Sequence, residues 1–220
     1  MKLILSIAIL AFLTVPAFSQ NNSLGKNDPE AKSILDKVSA KFKTYKSVTA
    51  SFILKVQNSS NKLIGTKSGV VNMKGSQYRV SLNGQDIFSD GNNIWTVDKS
   101  ANEVQITKFD GAANTLTPQK MFTNFYDKDF LYKLNGESKQ AGKMIQEIEL
   151  TPVDKTKTFF KVIVGIDKNS RNIVSTKVYE KNGNKYTYTI TSMKTNTTLP
   201  SSMFVFDSKK YPKMEIVDLR

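Results

Sequence analysis

The chain has 220 residues, a net charge of +13, and neither cysteine nor histidine. These absences exclude a disulfide-stapled fold, a Ser-His-Asp triad, a cysteine nucleophile and metal sites built on thiolate or imidazole. Lysine supplies nearly all the positive charge, with arginine only at 79, 171 and 220, a pattern of solvated surface or of attraction to anionic membranes or acidic partners rather than of nucleic-acid recognition.

The chain opens with Lys2, an apolar run from Leu3 to Leu13, Pro16, and then Ala17-Phe18-Ser19. This is the layout of a signal peptide spanning 1–19, with cleavage before Gln20. An exported, periplasmic protein is expected. With no cysteine near the cleavage point, it is not expected to be a lipoprotein itself. Residues 20–27 are polar and read as a disordered tail, and 28–220 as one domain.

Asp28-Pro29-Glu30 is a helix start: a capping carboxylate, proline at the first helical position, and an acid at the positive dipole end. Ala31, Ile34, Leu35, Val38, Phe42 and Tyr45 follow at helical spacing, which predicts a helix near 29–45. At Val48 the period changes to two, with Val48, Ala50, Phe52, Leu54 and Val56 on one face. Further strands are predicted at 65–74, 77–82, 86–89, 94–99, 103–109, 144–150, 158–166, 173–181, 185–193 and 203–206. Turn residues such as Asn83-Gly84 and Asn182-Gly183 separate them, the signature of an antiparallel meander. Thr117-Pro118-Gln119 predicts a second helix near 118–126, with Met121, Phe122 and Phe125 on one side. About ten strands in one domain is too much sheet to lie flat, so it must coil, close or split.

Chemistry-bearing motifs are weak. Ser59-Ser60-Asn61-Lys62 matches a serine–lysine pattern but falls in a turn. Glu147 and Glu149 share a strand face and read as a solvated surface. Asp127 and Asp129 lack the further ligands of a calcium loop, and Asp90-Gly91-Asn92 reads as a hairpin turn. No enzyme activity, metal or cofactor is expected. What remains is an abundance of aromatic and methionine side chains, among them Phe42, Phe52, Tyr78, Trp95, Met121, Phe122 and Phe125. They suit the wall of a cavity on a curled sheet.

Taken in order along the chain, several segments resemble the outer-membrane lipoprotein carrier family, LolA. They are Ala31–Val38 followed by Ala50-Ser51-Phe52 and Lys55-Val56; Gly65–Lys74; Ile87-Phe88-Ser89-Asp90-Gly91 followed by Ile94-Trp95; the Pro118 helix; Ile148–Pro152; and Phe204-x-Phe206. The resemblance implies a mainly β fold with helices (α+β): an unclosed antiparallel half-barrel whose concave apolar face is covered by helices and takes lipoprotein acyl chains. The implied partners are acylated lipoproteins, an inner-membrane lipoprotein-releasing ABC transporter, and an outer-membrane receptor or membrane surface, with the carrier itself a monomer. A lipid or glycolipid carrier, or an envelope sensor, on the same scaffold is the alternative. Well-known members carry an arginine, thought to latch the lid, after the lysine that ends the second strand. Here Lys74 is followed by Gly75-Ser76, so no gating arginine is carried over. The expected acyl-chain cavity is Phe52, Leu54, Val56, Val71, Met73, Tyr78, Val80, Leu82 and Trp95 from the sheet. Leu35, Val38, Met121, Phe122 and Phe125 are expected to face it from the helices.

Overall fold

The computed structural model describes residues 27–109 and 126–220. Helix α1 (Pro29–Lys43) starts as its sequence dictates: the Asp28 carboxylate accepts from the Glu30 and Ala31 amides at 2.8 and 3.3 Å. The other carboxylate oxygen of Asp28 accepts from the Leu134 amide at 3.0 Å, so one side chain both caps the helix and ties it to the sheet. Asn27, expected in a disordered tail, is also anchored, accepting from the Tyr132 amide at 3.1 Å. The signal peptide and the rest of the tail lie outside the described residues.

The sheet has twelve strands: β1 (Val48–Gln57), β2 (Leu63–Lys74), β3 (Gln77–Leu82), β4 (Gln85–Ser89), β5 (Asn93–Asp98), β6 (Glu103–Lys108), β7 (Phe130–Gln140), β8 (Lys143–Pro152), β9 (Phe159–Asp167), β10 (Ile173–Glu180), β11 (Lys185–Thr195) and β12 (Glu215–Asp218). Their order is β12-β6-β5-β4-β3-β2-β1-β11-β10-β9-β8-β7. All neighbours are antiparallel except β12, which lies parallel to β6. The sheet is unclosed, ending at β7 and β12. The chain thus builds one half outward from β1 to β6, then returns to build the other half, whose β11 closes against β1.

Three sequence expectations change. Strand β7 is not among the strands expected from the sequence. Its alternation lasts for Phe130, Tyr132 and Leu134, then gives way to exposed polar residues across a register shift at Gly136. The segment 203–206, expected as a strand, is not one: Met203 and Phe204 end a 3-10 turn over Ser201–Phe204, closed by the Met203 amide on the Pro200 carbonyl at 3.0 Å, and Val205 and Phe206 follow outside any strand. The closing tail 216–220, read without a strand, supplies most of β12. The predicted helix near 118–126 lies almost wholly outside the described residues, which begin again at the short helix α2 (Tyr126–Asp129).

Helix α1 packs on one half of the sheet. Ala31, Ile34, Leu35 and Val38 form a core with Tyr126, Phe130, Tyr132, Ile148, Leu150, Val162, Val164 and Ile166. The face that α1 covers is called inner below. Tyr126 donates to the Asp36 carboxylate at 2.8 Å, joining α2 to α1.

Candidate functional site: an apolar inner face

Cross-strand partners share a face of a sheet, so the pairing register traces the inner face from one half to the other. One row runs Tyr132, Leu150, Val162, Val178, Tyr186, Val56. The next runs Leu134, Ile148, Val164, Thr176, Tyr188, Leu54. Further along lies Met193, Ala50, Val71, Val80, Ile87. The inner face is therefore largely apolar from β7 to β4, with Thr176 and the exposed Lys67, the β2 partner of Leu54, as polar members. Helix α1 seals its β7–β10 part. Over β1–β3 and β11 the second core consists of Val48, Ala50, Phe52, Leu54, Val71, Met73 and Tyr78. Only half-buried there are Val56, Val80, Leu82, Ile87, Tyr186, Tyr188, Ile190 and Met193, with Phe42 and Tyr45 from the end of α1 at its border.

The eight sheet residues Phe52, Leu54, Val56, Val71, Met73, Tyr78, Val80 and Leu82 come together in this second core. Leu35 and Val38 share the inner face but belong to the α1-sealed core, packed with Tyr132 and Ile148 rather than with Phe52. Trp95 is a correction. The register places it in the row Thr49, Asn72, Arg79, Phe88, Trp95, Ile106, which is the outer face. It is buried there in a third core with Phe88, Val97, Val104 and Ile106, against which Phe206, Tyr211 and Met214 pack. Both faces of β5 carry apolar side chains, so local alternation did not say which way the tryptophan points. Met121, Phe122 and Phe125 lie outside the described residues.

Sequence reasoning missed the contribution of β11. Tyr186, Tyr188 and Ile190 alternate at strand period and were available as a signal. Met193 joins the same face only because β1 and β11 shift register between Ser51 and Phe52, which no local pattern reveals.

The second core packs most closely at Gly69. A Cβ built there would lie 2.5 Å from the Phe52 ring tip, 2.9 Å from a Leu82 methyl and 2.9 Å from the Ser81 carbonyl oxygen. Phe52 thus lies over bare backbone, beside Tyr188 at 5.9 Å between ring centroids. The phenols report apolar surroundings. Burial pushes Tyr188 above its ordinary value, helped by the neighbouring Tyr186 and Glu180. Burial also raises Tyr78 against the opposing effect of its hydrogen bond with Ser89. Among the described residues the side chains gathered here are apolar or phenolic.

The weak motifs fall elsewhere. Ser59–Lys62 lies in the β1–β2 turn. Glu149 is on the outer face of β8, 4.0 Å from the Lys161 ammonium. The Asp90 carboxylate accepts from the Asn92 and Asn93 amides at 2.7 Å each, a hairpin turn as read from sequence. Gly75 has φ +58°, a left-handed conformation that favours glycine, so a non-glycine residue in this turn would be strained. The Lys74 ammonium instead donates to the Leu199 carbonyl at 3.0 Å, holding the C-terminal segment.

On the outer face, Asp86 is a buried carboxylate reached by Lys99 at 2.9 Å, Tyr211 at 3.1 Å and Arg79 at 3.5 Å. Burial alone would raise its pKa. Hydrogen bonds from Ser81, Lys99 and Tyr211 outweigh that and hold it below the ordinary carboxylate value. This cluster fastens the C-terminal segment over the third core.

The described residues thus build an unclosed half-barrel with a long, largely apolar inner face, partly sealed by a helix. The profile of the family described as "Outer membrane lipoprotein carrier protein LolA" matches residues 43–207, and the chain belongs to that family. It is similar to the outer-membrane lipoprotein carrier proteins of Cupriavidus pinatubonensis and Cupriavidus necator. Identity is 29% in each, over 162 and 163 residues, covering 71% of this chain and 74% of each relative. Among solved structures, an uncharacterized conserved protein from Thermus thermophilus aligns over 86% of this chain and 99% of its own, with TM-score 0.58 at 12% identity, which is a likeness of fold.

Proposed function

We propose that the protein is a periplasmic carrier that shelters the acyl chains of lipoproteins against the inner face of β1–β3 and β11. The observation that carries this reading is the asymmetry of that face. Its β7–β10 part is sealed by α1, while its other part leaves eight large apolar side chains only half-buried. A finished core does not leave Val80, Leu82, Tyr188 and Ile190 in that condition. Family membership and the carrier names of the Cupriavidus relatives support the same reading.

Burying an acyl chain is worth about 0.8 kcal/mol per methylene, so a long chain gains on the order of 10 kcal/mol in a perfect pocket. A shuttle must also release its cargo. A face whose apolar side chains are left half-buried gives a looser fit than a closed cavity. In this reading the protein acts as a monomer without catalytic chemistry. It receives lipoproteins from an inner-membrane ABC transporter and passes them to the outer membrane or a receptor there.

Mass spectrometry of what copurifies with the protein from the periplasm tests the proposal. Acylated proteins are expected. Free lipids or glycolipids alone would redirect the reading to a lipid carrier, and a non-lipidated protein alone to an envelope sensor.

A further inference from the structure

One end of the sheet gathers three loops that the acyl-binding face does not use: the β1–β2 turn, the β10–β11 turn and the β8–β9 connection. They are fastened together. The Lys181 amide donates to the Thr158 carbonyl at 2.9 Å and its ammonium to the Lys155 carbonyl. The Lys185 ammonium donates to the Asn61 side chain. Gly183 approaches Ser59 so closely that a Cβ would lie 2.7 Å from the Ser59 Cβ. The three loops therefore present one surface.

That surface is both apolar and cationic. Eight large apolar side chains are exposed among the described residues, and half of them, Leu63 (53%), Ile64 (57%), Val153 (51%) and Phe160 (48%), lie at this end. The loops carry Lys62, Lys155, Lys157 and Lys181 against Asp154 and Glu180. Just behind them, on the outer face, three lysine ammoniums crowd one ring: Lys161, Lys177 and Lys185 lie 4.8, 5.1 and 5.7 Å from the centroid of Tyr179. Phe160 stands beside that ring at 6.1 Å. Glu149, 4.0 Å from Lys161, is the carboxylate paired within this group. Three ammonium groups around one ring against one paired carboxylate leave this patch net positive, which attracts an external anion.

We propose that this end of the half-barrel docks on a membrane leaflet rich in anionic phospholipid. The residue types select that occupant. All the cations are lysines, point charges suited to a fluid layer of headgroups, whereas Arg79, Arg171 and Arg220, the side chains for bidentate recognition, lie elsewhere. A bilayer interface accepts Leu63, Ile64, Val153 and Phe160 without preformed pockets, which a folded acidic protein would have to supply. The placement deepens the carrier reading and rests on it for its purpose: the apolar inner face runs out to this end at Val56 and Tyr186, both half-buried. Cargo leaving there passes directly into the interface.

The test is sedimentation of the purified, cargo-free protein with phosphatidylcholine vesicles, with and without phosphatidylglycerol. Binding is expected only with phosphatidylglycerol and is weakened by salt. Lys62, Lys155, Lys181 and Lys185 changed together to glutamine should lower the partition coefficient by about tenfold or more. L63S/I64S should lower it severalfold with no change in charge. A charge-matched control, Lys37, Lys46, Lys139 and Lys194 to glutamine, should change it by less than about twofold, since a Debye length of roughly 8 Å screens distant charges. No binding to phosphatidylglycerol vesicles overturns the proposal, and so does an equal loss in the control. Binding of an acyl probe, measured on the same proteins, should be unchanged by all three variants. If the wild type binds vesicles but no acyl probe, the carrier reading fails while the docking surface stands.

Discussion

Replacing Leu54 by glutamate places a carboxylate in the middle of the inner face. Leu54 is 7% exposed, lies in the central strand between β2 and β11, and is paired with Tyr188 on one side and Lys67 on the other. Loss of the buried leucine costs about 2–3 kcal/mol. Burial raises the new carboxyl above its unfolded value; a rise of roughly two pKa units adds about 2.7 kcal/mol at neutral pH. Lys67, exposed and directly across the strand pair, returns at most about 1 kcal/mol. The expected destabilisation at pH 7 is therefore about 4 kcal/mol, within the margin of a domain that is stable by about 5–15 kcal/mol. The sign follows from the raised pKa. The charge penalty is absent below the unfolded carboxyl pKa, near 4.3, and grows as pH rises through the folded value. Urea denaturation at pH 4 and pH 7 should show the gap to wild type widening by about 2 kcal/mol, while an acyl probe that binds wild type is lost from the folded variant at pH 7. A pH-independent loss under about 1 kcal/mol, with acyl binding intact, would refute the placement of Leu54 on an apolar acyl-binding face.

Three further outcomes follow from particular contacts. Gly69→Ala forces a Cβ against Phe52, Leu82 and the Ser81 carbonyl and should destabilise by about 1–3 kcal/mol; amide exchange in β2 and β3 checks it, with faster exchange expected. Asp28→Ala removes both the cap of α1 and the acceptor of the Leu134 amide, costing about 1–2 kcal/mol and speeding exchange at Leu134 beyond the effect on α1 alone. Because the Leu134, Ala31 and Glu30 amides hold the Asp28 carboxyl below its ordinary value, that contribution is present at neutral pH and fades as pH falls through the lowered pKa. Tyr211→Phe removes one hydrogen bond to buried Asp86, for about 1 kcal/mol at pH 7. The difference should shrink as Asp86 takes up a proton in acid, and chemical denaturation across pH 3–7 reads it.

The parts of the fold legible in the sequence are those fixed locally. Asp28-Pro29 with the stripe Ile34, Leu35 and Val38 specified α1, and the alternation from Val48 to Val56 specified β1 and its inner side. The hairpin turns marked most of the meander, because glycine and asparagine at positive φ leave a signal. What stayed hidden depends on distant chain. Trp95 is expected in the cavity as one of the aromatic side chains, and its strand, with Ile94 on one side and Trp95 and Val97 on the other, does not say which side faces inward. Its true face follows from the register carried through β2, β3 and β4, and its burial from Phe206, Tyr211 and Met214 arriving more than a hundred residues later. Strand β7 pairs along its whole length with β8, yet most of it is exposed and polar, so hydrophobic alternation could not reveal it. The split of the inner face into a part sealed by α1 and a part left half-buried is likewise a product of topology: β11 returns to pair with β1, and α1 covers only the far side.

The most direct test is site-specific photo-crosslinking with a lipidated peptide and its unacylated twin. Single benzophenone side chains would be placed at Leu82 and Tyr188 on the open inner face, and at Lys177 on the outer face. The carrier account predicts acyl-dependent crosslinks at 82 and 188, none with the unacylated peptide, and none at 177. Equal labelling by both peptides, or acyl-dependent labelling confined to 177, would contradict it.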